Sequence, residues 1–96
     1  VHRSLEEVRE LVFGRAPECE VVLTDRDASR RHARVVYGDD RRVVLEDLGS
    51  TNGTQVNGER LRGPRELRDN DVIELGGAVY RFLRARSLEK AMRDTL

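Results

Sequence analysis

Cysteine is almost absent from this chain. Cys19 is the single one, so no disulfide can close within the sequence and a cysteine-based zinc site is not expected. This is compatible with a cytoplasmic protein. Lysine is as scarce, with one residue against 17 arginines, a skew into which no function is read. Net charge is missing altogether, since 18 basic residues meet 18 acidic ones. That argues against a nucleic-acid binder, which needs a basic excess to release counterions, and against a polybasic membrane patch. There is no apolar run near the ~18–20 residues of a membrane span, and no secretory signal pattern. No cofactor and no metal is called for.

What remains is a 96-residue chain with 38% apolar residues, enough for one modest core. Short β-rich runs alternate with turn clusters, the pattern of an all-β sandwich or barrel. Strands are expected at Val21–Leu23, Ala33–Tyr37, Arg42–Glu46, Thr54–Val56, Glu59–Leu61, Val72–Leu75 and Ala78–Leu83. Gly38-Asp39-Asp40, Asn57-Gly58 and Gly76-Gly77 mark hairpin turns, and Gly63-Pro64 breaks the chain. Asn57-Gly58 is read as a turn and nothing more.

The two ends differ from this pattern. Ser4-Leu5-Glu6-Glu7 is a capping-box sequence, and Leu5, Val8, Leu11 and Val12 fall near helical spacing, so local rules favour a helix over 4–12. At the other end Ser87 can cap a helix, and Leu88, Met92 and Leu96 share one face. Ten residues are marginal as an isolated helix, so this one would pack on the sandwich, pair with a second copy or continue into something longer.

Three loops concentrate hydrogen-bond donors. They are Gly14-Arg15, Ser29-Arg30-Arg31-His32, and Gly49-Ser50-Thr51-Asn52-Gly53-Thr54. Guanidinium, hydroxyl, amide and glycine-permitted backbone N–H groups together suit a tetrahedral dianion. Each residue also has a plain reading: Arg15 as a solvated charge, Ser29 as a turn cap, Thr51 as a turn hydroxyl. The glycine-rich loop lacks the lysine of a P-loop. Ser29 and His32 have no third partner that would make a nucleophile, so catalysis is not expected.

These loops occur in order with Val56-Asn57-Gly58 and Leu67-x-Asp69-Asn70-Asp71-x-Ile73-x-Leu75-Gly76, and the set resembles the forkhead-associated (FHA) domain over roughly residues 10–84. The resemblance implies a two-sheet antiparallel β-sandwich with its binding loops at one end. It implies that the module captures phosphothreonine, with Arg15, Ser29, Arg30 and Thr51 on the phosphate. Asn52 and Asp27 would contact the peptide. A carboxylate at Asp27 suggests a basic or polar-donor side chain three places after the phosphothreonine. Gly14, His32 and Gly53 would support the loops structurally. The partner would be a threonine-phosphorylated protein, or a phosphothreonine elsewhere on the parent chain, with a Ser/Thr kinase upstream.

Two departures from the family pattern stand out. Only 13 residues precede Gly14, and Val1–Leu5 resembles the family's second strand, so the family's first strand would be cleaved, disordered, outside this sequence or supplied by another chain, leaving a sheet edge open. Asn70 replaces a usual glycine, although asparagine tolerates the left-handed turn. The resemblance favours strands over a helix at the N-terminus. Residues 1–84 are therefore read as the binding domain and 85–96 as a helical linker. The segment ending Arg93-Asp94-Thr95-Leu96 resembles the connector before bacterial diguanylate cyclase (GGDEF) domains, which would make this the regulatory part of a larger bacterial chain. The alternative function is a phosphate-independent module that self-associates through the open edge or dimerises through the C-terminal helix.

Overall fold

The computed structural model describes residues 10–84. Nine strands follow in order: β1 (Glu10–Gly14), β2 (Val21–Val22), β3 (Ala33–Tyr37), β4 (Val43–Asp47), β5 (Thr54–Val56), β6 (Glu59–Arg60), β7 (Arg65–Glu66), β8 (Val72–Leu75) and β9 (Ala78–Arg81). They make a five-stranded sheet, β2-β1-β3-β4-β7, and a four-stranded sheet, β6-β5-β8-β9. The described residues therefore form the expected two-sheet sandwich.

Side-chain alternation explains the packing. Successive residues of a strand point to opposite faces, so a strand with one buried face reads as alternating burial. Ala33 and Val35 of β3, Val43 and Leu45 of β4, and Ile73 and Leu75 of β8 are buried in one shared core with Leu23, Ala28, Val56 and Leu67. Phe13 and Tyr80 meet edge-on across the sandwich, with ring centroids 5.5 Å apart. Val12, Ala16 and Cys19 form a smaller cluster with Leu48, in which Cys19 packs as a small apolar side chain.

Register fixes which loops share an end. Phe13 pairs with Ala33, and Ala33 pairs with Asp47, so β1 and β4 finish where β3 begins. Thr54 pairs with Leu75, and the Thr54 hydroxyl reaches Asp47 at 2.6 Å. The loops after β1, β2, β4 and β8 therefore meet at one pole. The turns Gly38–Arg42, Asn57-Gly58 and 67–71 lie at the opposite pole.

Several expectations are corrected in detail. The pairing is not wholly antiparallel, because β1 and β2 run parallel, with Phe13 opposite Val21. The third expected strand begins at Val43 rather than Arg42, since Arg41 takes a left-handed φ of 68° and the turn extends to Arg42. Strand β7 was not foreseen; it is two charged residues, and its backbone bonds to β4 carry no apolar signature. Asn57 is more than a turn residue. Its amide donates to Asp71 at 2.9 Å, and its carbonyl oxygen accepts from the Val72 N–H at 2.9 Å. Asn70 does adopt the left-handed turn, with φ 73°. Glu10–Gly14 is strand, as the family resemblance favoured, while residues 1–9 and the helix expected at 87–96 lie outside the described residues.

Candidate functional site

The site is built on Gly14. A Cβ there would overlap the Arg30 carbonyl oxygen, so glycine lets the end of β1 lie directly against the chain at Arg30-Arg31. That contact zips the first two loops together. The Arg15 N–H donates to the Ser29 carbonyl and the Ala16 N–H to the Arg30 carbonyl, each at 3.0 Å. The Arg15 Nε donates to the Ala28 carbonyl, which aims the guanidinium along the second loop. Arg15 stays exposed, and no carboxylate among the described residues pairs with it. Its two terminal nitrogens thus remain available for an anion.

His32 ties the second loop to the third. It is fully buried, its Nδ1 accepts from the Ser29 N–H at 3.0 Å, and its Nε2 lies 2.8 Å from the Gly53 carbonyl oxygen. A carbonyl only accepts and an N–H only donates, so both bonds are met by the tautomer with its proton on Nε2. The Thr51 N–H then donates to the Ser29 Oγ at 3.0 Å, and the Asn52 amide donates to the Asp27 carbonyl at 2.8 Å. Ser29 spends an acceptor lone pair on this bond and keeps its hydroxyl proton. Arg15, Ser29 and Thr51 are brought together by these contacts.

Asp47 organises the third loop, a role sequence reasoning missed. One carboxylate oxygen accepts the N–H groups of Gly49 and Ser50 at 3.0 and 2.9 Å; the other accepts the hydroxyls of Ser50 and Thr54, both at 2.6 Å. The Ser50 Oγ in turn accepts the Gly53 N–H at 2.9 Å. Partial burial pushes the Asp47 carboxyl upward, but the Ser50 and Thr54 bonds outweigh it and hold the pKa below its ordinary 3.8. The signal was present as aspartate followed by short polar residues at a loop start, the pattern of side-chain-to-backbone turns.

Gly76 and Gly77 were also missed as parts of the site. At φ 62°, a Cβ on Gly76 would stand 2.7 Å from the Ala28 nitrogen, and one on Gly77 would overlap the Asp25 carboxylate. The β8–β9 hairpin therefore backs the second loop. Between them opens a depression of about 250 Å³, lined by Asp27, Asn52, Gly53, Gln55, Glu74 and Gly76. Arg30 is exposed; its carbonyl accepts from Ala16 and from the Cys19 thiol, while its side chain has no bond to a described residue. Among the described residues there is no cluster of His, Cys, Asp and Glu that could hold a metal ion.

Comparison with known proteins gives a consistent result. The family model described as FHA domain matches residues 11–76. The chain is similar to the FHA domain-containing protein FhaA of Mycobacterium tuberculosis, 40% identical over 65 residues, which is 68% of this chain and 12% of FhaA. Among solved structures, the FHA domain of CT664 from Chlamydia trachomatis superposes with a TM-score of 0.76 at 34% identity, covering 79% of this chain and 77% of that one. The MEK1 FHA domain, solved with the HOP1 pThr318 peptide, gives a TM-score of 0.70 at 29% identity, covering 81% and 82%. The chain spans 2% to 13% of the length of the curated relatives it matches.

Proposed function

The chain belongs to the FHA domain family, and from that premise we propose that it reversibly captures a phosphothreonine in an extended peptide. The observation that carries this reading is that hydrogen bonds join the loops bearing Arg15, Ser29 and Thr51 at one pole, with the Arg15 guanidinium exposed and free of any described carboxylate. Phosphate brings about −2 charge and three acceptor oxygens. Arg15 supplies the opposing charge, the Ser29 hydroxyl supplies its unspent proton, and the Thr51 hydroxyl supplies a third donor. Arg30 adds positive potential at the rim. Asn52, one residue on, holds the peptide backbone. The solved relative with a pThr318 peptide supports the ligand class.

Asp27 and Glu74 line the adjoining depression, so a ligand residue that enters it is a basic or amide-bearing one. A serine/threonine kinase writes the ligand, and the cytoplasm is where kinase and module meet. The role is binding, as part of a regulatory signalling protein, and no chemical step is assigned to these loops. Self-association through a sheet edge or the C-terminal helix is a separate proposal, on residues beyond those described.

The test is calorimetric titration with one peptide in three forms: phosphothreonine, phosphoserine and unmodified threonine. Phosphothreonine should bind, unmodified threonine should not, and phosphoserine should be weaker by about 10–200-fold for one methyl group. Arg15→Ala should cost about 2–5 kcal/mol, the range for truncating one partner of a close charge pair. Equal binding of all three forms would overturn the reading.

A further inference from the structure

We propose that Arg60 reads a carboxylate side chain of the ligand peptide close to the phosphothreonine, an inference that rests on the phosphothreonine reading above. Arg60 belongs to β6, at the edge of the second sheet, and its guanidinium lies over Gly53. A Cβ at Gly53 would stand 2.8 Å from its Nε and 3.1 Å from a terminal nitrogen. Gly53 itself is fixed on both sides, its N–H by Ser50 and its carbonyl by His32. The charge therefore rests on a rigid peptide unit, one residue from Asn52 and two from Thr51.

This cation is not neutralised within the described residues. Its strand neighbour Glu59 is taken by Arg65 at 3.2 Å. Across the sheet, Gln55 stands between Arg60 and Glu74, since Gln55 pairs with both. The surface beside Asn52 is thus polarised, with the Arg60 guanidinium on one flank of β5 and the Glu74 carboxylate, which shares a depression with Asp27, on the other. A strand-like ligand advances about 3.3 Å per residue. A peptide held at Asn52 consequently presents a side chain to Arg60 within a few residues of the phosphate. A carboxylate there meets an opposite charge, whereas a carboxylate directed at the depression meets two like charges.

The experiment uses phosphothreonine peptides in an alanine background, with one glutamate or lysine placed in turn within three residues on either side. The readout is the ratio of glutamate to alanine affinity at each position, taken on the same protein sample so that any unfolded fraction cancels. One position should favour glutamate by about two- to fivefold at low salt, as exposed ion pairs do, and less at high salt. Arg60→Ala should bring that ratio to one, and Arg60→Glu should turn the preference to lysine at the same position. A wild-type protein with no such position overturns the inference, and so does a ratio unchanged by Arg60→Ala. If the alanine-background phosphopeptide fails to bind at all, the phosphothreonine reading falls and this inference falls with it.

Discussion

Replacing Asp47 by alanine should damage binding without touching any group assigned to the ligand. The carboxylate accepts four hydrogen bonds, from Gly49, Ser50 backbone, Ser50 hydroxyl and Thr54 hydroxyl. These are not equal in consequence. Gly49 is exposed, so its N–H can turn to water. The Thr54 hydroxyl is fully buried and cannot, so it alone should cost about 1–3 kcal/mol once its acceptor is gone. The half-buried Ser50 hydroxyl adds a smaller loss and releases the Gly53 N–H from its anchor. A total near 2–4 kcal/mol follows, a large share of the ~5–15 kcal/mol that hold a typical domain together. Urea unfolding should show a lower midpoint with an unchanged slope. Phosphopeptide affinity should fall as well, because Thr51 and Asn52 ride on the same loop. Asp47→Asn keeps the shape and should lose less. A loss below about 0.5 kcal/mol, the scatter of ordinary surface changes, with affinity unaltered would refute the reasoning.

Three further outcomes are expected. The Asp47 pKa is lower in the folded state than its ordinary 3.8, so its contribution is complete above that value and disappears as pH falls through the folded pKa. Stability against pH in wild type and Asp47→Asn should therefore converge only in strong acid. Gly14→Ala should cost about 1–3 kcal/mol by overpacking against Arg30, and thermal unfolding would measure it. Asn57→Ala leaves the buried Asp71 carboxylate short of a donor at the far pole and should cost about 1–3 kcal/mol, while the affinity of the folded fraction stays at wild-type value.

The sequence was legible where one residue type alone can satisfy the backbone. Asn57-Gly58 takes φ values of 52° and 83°, and Gly53 takes 84°, positions that few side chains tolerate. The valine-rich strands were legible as short β-rich runs between turn clusters. Legibility failed where roles depend on contacts between distant segments. Gly76 reads as a hairpin glycine until the chain at Ala28 is seen to press on it. Asp47 reads as an ordinary aspartate at a loop start until Ser50 and Thr54 turn their hydroxyls toward it. Strand β7 escaped because Arg65 and Glu66 contribute backbone bonds rather than buried surface. Arg15, Ser29 and Thr51 were named from motif order, and the bonds joining their loops supply the physical reason.

The bond from His32, which leads into β3, to the carbonyl of Gly53, which leads into β5, stitches one sheet to the other at the pole where the proposed ligand would dock. A bound phosphopeptide would then act as a rivet across that seam. It should raise the melting temperature in step with its concentration. Neither sheet expressed as a separate half could keep the pocket, because each half carries only part of its wall.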